Sequence, residues 1–331
     1  MCNHVVMDDI DDGREGAFRV DRAHTAAHLY YVQNRTMDAI ARELRTSRST
    51  VSRLLSYARA QGIVDIRIRS PHEAPHTLES RIATRFGVTA HVVPMPGDLP
   101  EAERLARVAL GAAHVIHDFV HSELTVGVAW GSTLAAVSTH LIPKPVHDTT
   151  FVQLNGSGNT HTTGLLYASE ILSRFGEAYR GSVQQFPVPA FFDDPETKRL
   201  LWRERSTRRI LETQDKMGLV LFSVGSASAR VRSHVYSGGF LDPSDLGALA
   251  RDGVVGDVAT VFFRADGSSD GIALNERATG PDFAALRQVP RRCCIVAGES
   301  KLASLRGAIA AGLVTDLVID EGTARALVEN D

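Results

Sequence analysis

Cysteine and lysine are scarce in this chain of 331 residues, and no stretch of it is both long and apolar. Cys2, Cys293 and Cys294 give no disulfide framework. The adjacent pair lies in the apolar run CCIVAG and reads as alternating residues of a buried strand. Lysine occurs only at 144, 198, 216 and 301, so arginine carries most of the positive charge. No run approaches the ~20 apolar residues a membrane span needs. The N-terminal stretch is acidic (Asp8, Asp9, Asp11, Asp12, Glu15), the reverse of a signal peptide, and the expected compartment is the cytoplasm. There is no G-x-S-x-G elbow, no Walker A loop and no G-x-G-x-x-G after a strand, so the common enzyme signatures are missing. His114, His117 and His121 share one face of a predicted helix with Asp118 beside them. Leu105, Val108, Ala112, Ile116 and Phe119 form its apolar face, so the histidines read as solvated or at a subunit contact. No metal and no cofactor is expected.

The most informative segment is Met37 to Arg59, MDAIARELRTSRSTVSRLLSYAR. Met37, Ile40, Ala41 and Leu44 fall at i, i+3, i+4 and i+7, and Val51, Leu54, Leu55 and Ala58 repeat the spacing. Two short helices, each with one apolar stripe, can pack across a tight turn. Thr46, Ser47, Arg48, Ser49, Thr50, Ser52 and Arg53 occupy the polar face and its approach, where hydroxyls and arginines suit phosphates and base edges. Residues 19–69 hold ten arginines against four acids, a charge of +6 in a chain of net −3, so the remainder carries −9. A basic head on an acidic body is the electrostatic footprint of DNA binding confined to one domain.

Residues 1–18 read as a disordered tail. A first helix is predicted over 21–34, its turns marked by Ala27, Tyr30, Tyr31 and Asn34. Thr36 caps the second helix and Gly62 ends the third. Val64, Ile66 and Ile68 then alternate with Asp65, Arg67 and Arg69, a short strand of the kind that forms a wing. Residues 70–75 read as a linker. Helices are expected over 77–86 and 101–122. Seven apolar runs follow, over 124–129, 151–154, 182–186, 219–224, 258–263, 293–296 and 317–319. Strands of this kind alternating with helices predict a largely parallel sheet covered on both faces. A composition 44% apolar and 23% charged fits a globular protein, and the length exceeds one ordinary domain.

Ligands in such sheets sit beyond the carboxyl ends of the strands. Trp130-Gly131-Ser132-Thr133 precedes a helix and reads either as an anion cradle or as a capped helix start. Asn155-Gly156-Ser157-Gly158-Asn159 offers close backbone approach and amides, or a plain turn. Gly225-Ser226 ends another strand. Gly256-Asp257 precedes a strand, where its carboxylate accepts from sugar hydroxyls or caps a turn. Lys301 stands at a strand-to-helix junction and pairs with an anion or is an ordinary surface residue.

In their order, the pieces TVSRLLSYARAQGIVDIRI, VGVAWGSTL, FVQLNGSGN, SVQQFPVPAFF, LFSVGS, SGGFLDPSDLGALARDGVVGDVATVFFRADG and VAGESKLASLRGAIAAGLVTDLVIDEGTARAL make the chain resemble the SorC/DeoR-type sugar-responsive bacterial transcription regulators over nearly its whole length. The resemblance implies an N-terminal winged helix-turn-helix domain (19–69). It also implies a Rossmann-like, largely parallel α/β effector and oligomerisation domain (76–331) related to sugar-phosphate isomerases and glucosamine-phosphate deaminases. It implies operator DNA and a phosphorylated sugar as partners, a homotetramer, and a repressor's role at a carbohydrate-utilisation operon. The positions it carries over for the effector are Gly131, Ser132, Thr133, Asn155, Gly156, Pro189, Ala190, Gly225, Ser226, Asp257 and Lys301. Three departures stand out. Arg45 occupies the interhelical turn position often filled by glycine. Ser226-Ala-Ser-Ala229 follows Gly225. Asn155 rather than a lysine follows Leu154, which argues against a Schiff base there. An isomerase or deaminase with an appended DNA-binding head is the alternative; it lacks a histidine partner for Asp257 or Asp266, so no enzyme activity is expected. A DNA-organising protein that senses no ligand is the third possibility.

Overall fold

The computed structural model describes residues 20–64, 75–97, 99–226 and 233–329. The chain divides into two compact units, Met1–Ile68 and Arg69–Asp331. The predicted tail, the wing strand beyond Val64 and most of the predicted linker lie outside the described residues. Pro75, the last residue of that linker, already belongs to the helix Pro75–Phe86.

In the first unit α1 covers 20–27 and continues as a π-helical turn, His28–Val32. The predicted helix over 21–34 therefore stops early. Gln33 N–H donates to His28 O, and Asn34 takes a left-handed φ of 52° outside the helix. α2 spans Met37–Glu43 and α3 Arg48–Ala60. Thr36 Oγ1 accepts from Ala39 N–H (3.3 Å) and Ser47 Oγ from Thr50 N–H (3.1 Å), so each helix starts on a hydroxyl cap. At the other end Ile63 N–H reaches back to Ala58 O past Gly62 (φ 68°), a Schellman closure. Both predicted stripes face inward: Ile40, Ala41, Val51, Leu54, Leu55 and Ala58 are buried against Ala23, Ala26, Ala27 and Leu29. Arg45 makes the bend with φ 48°, a strained conformation for a residue bearing a Cβ.

The second unit contributes ten strands among the described residues: β1 Thr89–Val93, β2 Thr125–Val128, β3 Thr150–Gln153, β4 Ser182–Gln184, β5 Leu219–Phe222, β6 Val224–Gly225, β7 Val254–Val258, β8 Val261–Arg264, β9 Arg291–Val296 and β10 Asp316–Asp320. Seven form one sheet in the order β1-β10-β9-β5-β2-β3-β4, every neighbouring pair parallel. β6, β7 and β8 form a small antiparallel sheet. The large sheet alternates cleanly between two cores. Phe151, Leu219, Leu221, Cys293, Ile295 and Val318 pack on α5 (Glu101–Phe119), α6 (Ser132–Ser138) and α7 (Leu165–Tyr179). Val152, Val220, Phe222, Cys294, Val296, Leu317 and Ile319 pack on α4 (Pro75–Phe86), Leu302–Ala310 and Glu321–Glu329. Period-two alternation with both faces buried is the signature of a covered parallel sheet. Cys293 and Cys294 thus point to opposite faces, fully buried, with burial raising both thiol pKa values, that of Cys294 to about 12.

Several strand predictions need correction, among them residues 219–224, which divide between β5 of the large sheet and β6 of the small one. Residues 258–263 are not one strand: the chain reverses at Ala259-Thr260, whose φ values are 47° and 72°. Gly256 and Asp257 accordingly lie inside β7 rather than ahead of a strand. A two-residue hairpin turn normally advertises itself by Asn or Gly, and this one has neither. β1 was absent from the predicted strands. The predicted helix to residue 122 ends at Phe119.

Phe151 is wholly buried, with its ring 5.5 Å from that of Phe175 and 5.7 Å from that of Tyr179. Phe151→Ala is expected to cost about 3–5 kcal/mol, read as a lowered urea midpoint at unchanged m-value; a loss under 1 kcal/mol would mean this core is loosely packed.

Candidate functional site

The sheet order determines where a site can form. From β2 the chain runs outward to β3 and β4, then returns to lay β5 on the other side of β2. The loops after β2 and β5 therefore diverge from adjacent strand ends, the crevice where doubly wound sheets bind ligands. A cavity opens there, lined by Trp130, Gly131, Ser132, Thr133, Asn155, Ser223, Gly225, Ser233, His234, Asp257, Thr260 and Lys301, among others. It gathers seven of the eleven predicted effector positions. Gly156, Pro189, Ala190 and Ser226 do not line it.

Positive character comes from Lys301, in the turn Glu299–Lys301 after β9. Its Nζ donates to Ser223 Oγ (3.3 Å) and, at 3.5 Å, to Thr133 Oγ1. Burial holds the ammonium below the usual lysine pKa, while Asp257 opposes that shift. Gly131 precedes the first turn of α6, so Ser132 and Thr133 present amides and hydroxyls to the same crevice.

Acceptors line the same crevice. Asp257 on β7 is buried, and its carboxyl pKa is raised from 3.8 to about 6. Loss of solvent is the main cause, resisted by the Thr260 N–H, which donates to Oδ2 at 3.2 Å, and by the charge of Lys301. Its Oδ1 makes no hydrogen bond of good geometry, although the Tyr236 hydroxyl beside the carboxylate helps to hold the charged form, and Oδ1 of Asn155 has no partner. Gly225 is paired with Asp257 in the small sheet, and a Cβ there would meet Oδ1 at 1.8 Å. The glycine makes room for the carboxyl. Thr260 reaches Asp257 only through the strained turn, so the hairpin spends backbone energy to aim one amide at this carboxylate.

The four remaining positions build the frame behind the cavity. Gly156 N–H donates to Thr279 Oγ1 (3.0 Å), and that hydroxyl donates to Ala190 O (3.0 Å). A Cβ on Gly156 would meet Pro189 O at 2.1 Å, so the glycine lets two loop backbones touch. Pro189 lines a second cavity with 158–163, and Ser226 N–H is bonded to Ser233 Oγ (2.8 Å). Buried Gln153 and Gln214 hold the ends of the same loop: Gln153 Nε2 donates to Asn155 O (2.7 Å) and Gln214 Nε2 to Leu154 O (3.1 Å).

Sequence reasoning missed Ser223, Ser233, His234 and Thr260, which have no motif and reach the cavity only through the tertiary fold. Trp130 was seen only as part of its loop. It stacks on Phe240 at 5.1 Å, meets His234 edge-on at 6.0 Å, and donates from Nε1 to Gly156 O (2.9 Å). Among the described residues no group of three or more His, Cys, Asp or Glu could hold a metal ion. His114 and His117 spend Nδ1 on the carbonyls of Leu110 and Ile142.

In the first unit Ser47, Arg48, Ser49, Ser52 and Arg53 are exposed, and Thr46 and Thr50 are half-buried. Ser47 Oγ lies 2.8 Å from Ser49 Oγ and 2.9 Å from Thr50 Oγ1, so part of the hydroxyl face is engaged in capping. Arg48 lies 3.9 Å from Asp38, both exposed, and Arg53 has no side-chain partner among the described residues.

A helix-turn-helix unit and an α/β unit with an anion-and-hydroxyl crevice define a ligand-responsive DNA-binding regulator. The family model described as "Putative sugar-binding domain" matches residues 70–329. The deoxyribonucleoside regulator of Bacillus subtilis is 34% identical over 308 residues, covering 92% of this chain and 96% of that protein. A solved domain of a possible sugar-binding transcriptional regulator from Arthrobacter aurescens TC1 is 56% identical, with a TM-score of 0.74, covering 78% of this chain and all of that one. The full-length sorbitol operon regulator SorC from Klebsiella pneumoniae shares the fold, with a TM-score of 0.70 at 24% identity over 94% of this chain and 99% of its own. The chain belongs to the SorC-type family of sugar-binding transcriptional regulators: it is a DNA-binding, sugar-responsive regulator of transcription.

Asp257 carries the pH dependence. The folded state holds its proton more tightly than the unfolded chain does, so protonation favours folding, and that contribution is lost as pH rises from about 4 to about 6. The stability of Asp257→Asn relative to wild type, without ligand, should therefore rise across this window and level off above it. Parallel pH profiles of melting temperature would contradict the assignment.

Proposed function

We propose that the effector is a phosphorylated sugar, held with its phosphate between Gly131-Ser132-Thr133 and Lys301 and its hydroxyls on Asn155 and Asp257. The observation that carries this reading is one crevice that holds a cation, neutral donors and two buried acceptor oxygens, Asn155 Oδ1 without a partner and Asp257 Oδ1 with only the Tyr236 hydroxyl beside it. Neutral donors accept any oxyanion; the added lysine favours a dianion. The acceptors call for hydroxyl groups, because a buried acceptor without a donor costs about 1–3 kcal/mol. The relatives' names, deoxyribonucleoside regulator and sorbitol operon regulator, fit a carbohydrate-utilisation operon as the target.

The same reading makes 19–69 the DNA-binding domain, with Thr46, Ser47, Arg48, Ser49, Thr50, Ser52 and Arg53 on the operator. Residues 70–74 are the linker, ahead of the helix that starts at Pro75, and 75–331 the effector and oligomerisation domain of a cytoplasmic homotetramer that acts as a repressor. Among the described residues no helix is long and apolar enough to cross a membrane. The protein turns over no substrate in this account: its relatives carry the names of transcriptional regulators, and His234, which lines the crevice with Asp257, is packed among Trp130, Tyr167 and Phe240.

Charge-assisted hydrogen bonds contribute about 1.5–3 kcal/mol, so Lys301→Ala should weaken a sugar phosphate roughly 10- to 100-fold while ligand-free DNA binding stays unchanged. Calorimetry of a panel of sugar phosphates and their unphosphorylated parents checks this. Equal affinity of wild type for both members of a pair would remove the phosphate site.

A further inference from the structure

The second unit carries a concentration of positive charge that the effector crevice does not use. Residues 70–331 contain 25 basic and 30 acidic residues, yet within 198–209 six basic residues face a single acid, Glu204. These twelve residues cover the end of α8 (Pro195–Leu201), a turn, and the first half of α9 (Arg205–Gln214). Lys198 is engaged, donating to Glu276 O at 3.2 Å, and Arg199 pairs with Glu196 at 2.9 Å. Arg203, Arg205, Arg208 and Arg209 are exposed and have no ion pair, side-chain hydrogen bond or ring contact among the described residues. Arginines elsewhere in the unit are mostly tied down: Arg85 to Val328 O, Arg104 to Asp320, Arg174 to Glu170, Arg264 to Asp252 O, Arg277 to Asp245 and Arg287 to Ala311 O.

Local energetics do not account for the cluster. α9 buries Thr207 and Gln214 and turns Arg205, Arg208 and Arg209, at i, i+3 and i+4, to the opposite side. Three like charges on one face repel each other. Their position is also the wrong one for a helix, because the first turns lie at the positive end of its dipole, and α9 has no acid in its first turn and no side-chain cap. These exposed arginines keep their water and pair with neither Glu204 nor Glu212, so their charge is available to an external anion. Arginine's planar fork matches phosphate oxygens two at a time. The protein already works on a polyanion, DNA, and the acidic remainder of this unit would repel it. A second copy of the chain fits less well, since a two-fold contact here would set arginines against arginines.

We propose that Arg203, Arg205, Arg208 and Arg209 form a second DNA-backbone contact, separate from the recognition helix and indifferent to base sequence. This holds whatever the effector is. The probe is a mixed-sequence duplex of roughly 60 base pairs bound by the full chain over a salt series, where each phosphate contact contributes about 0.9 to the slope of log K against log salt. The variant Arg205→Gln/Arg208→Gln/Arg209→Gln should lower that slope by about 2–3 and cut affinity at low salt by about 10-fold or more. Arg251→Gln, an exposed arginine on another helix, should leave both unchanged. An unaltered slope in the triple variant overturns the proposal, as does an equal drop in the Arg251 control. A fall in the sedimenting mass of the triple variant would also overturn it, assigning the face to subunit contact.

Discussion

An ammonium and a carboxylate are both kept out of water at the carboxyl end of a parallel sheet, and the proposed effector site depends on how they are compensated. Lys301 loses solvent and keeps only hydroxyl partners, Ser223 and Thr133. Asp257 loses solvent and keeps the Thr260 amide, with the Tyr236 hydroxyl beside it. Each charge lessens the other's penalty without removing it, which is why the lysine pKa falls and the carboxyl pKa rises to about 6. Full compensation would leave nothing for a ligand to do. Partial compensation creates a site whose free energy falls when an anion and a hydroxyl donor arrive together.

Everything around the pair serves to hold it there. Parallel β9, β5, β2 and β3 bring four carboxyl ends side by side, and the return of the chain from β4 to β5 opens the crevice between them. The hairpin of β7 and β8 pushes Asp257 in from outside the large sheet, through a turn that only tertiary packing could impose on Ala259-Thr260. Gln153, Gln214 and Thr279 tie down the Asn155 loop from behind. A ligand shifts the balance between any two arrangements of the protein only as far as it binds one better than the other, and the sign of its effect on DNA follows from which arrangement the DNA prefers.

Much of this was legible in the residues. The two stripes of the head were readable because periodicity at 3.6 needs only local sequence, and the Thr36 cap fell where a hydroxyl preceded the first stripe; the capping role of Ser47 was missed, its hydroxyl having been read only as part of the DNA-facing surface. The parallel sheet was readable because its strands are continuous apolar runs. Loops at strand ends led to Gly131, Asn155 and Lys301. The losses were tertiary. A hairpin turn without Asn or Gly carries no local sign, so β7 and β8 merged into one strand and Asp257 was set in a loop. The π-helical turn at His28–Val32 breaks a helix without a proline or glycine. Gly156, Pro189 and Ala190 came from the resemblance as pocket residues, while their positions here show backbone packed on backbone. Ser223 and Thr260 are ordinary residues until the fold brings them to the lysine and the carboxylate.

The central claim is that a phosphate dianion sits beside Lys301. The ³¹P resonance of a bound sugar phosphate, followed with pH, tests it most directly. A free phosphate monoester loses its second proton near pH 6. Beside a buried ammonium the dianion is favoured, so the bound resonance should titrate at lower pH than the free ligand in wild type, and move back toward it in Lys301→Gln. A bound phosphate that titrates like the free ligand in both proteins would contradict the account.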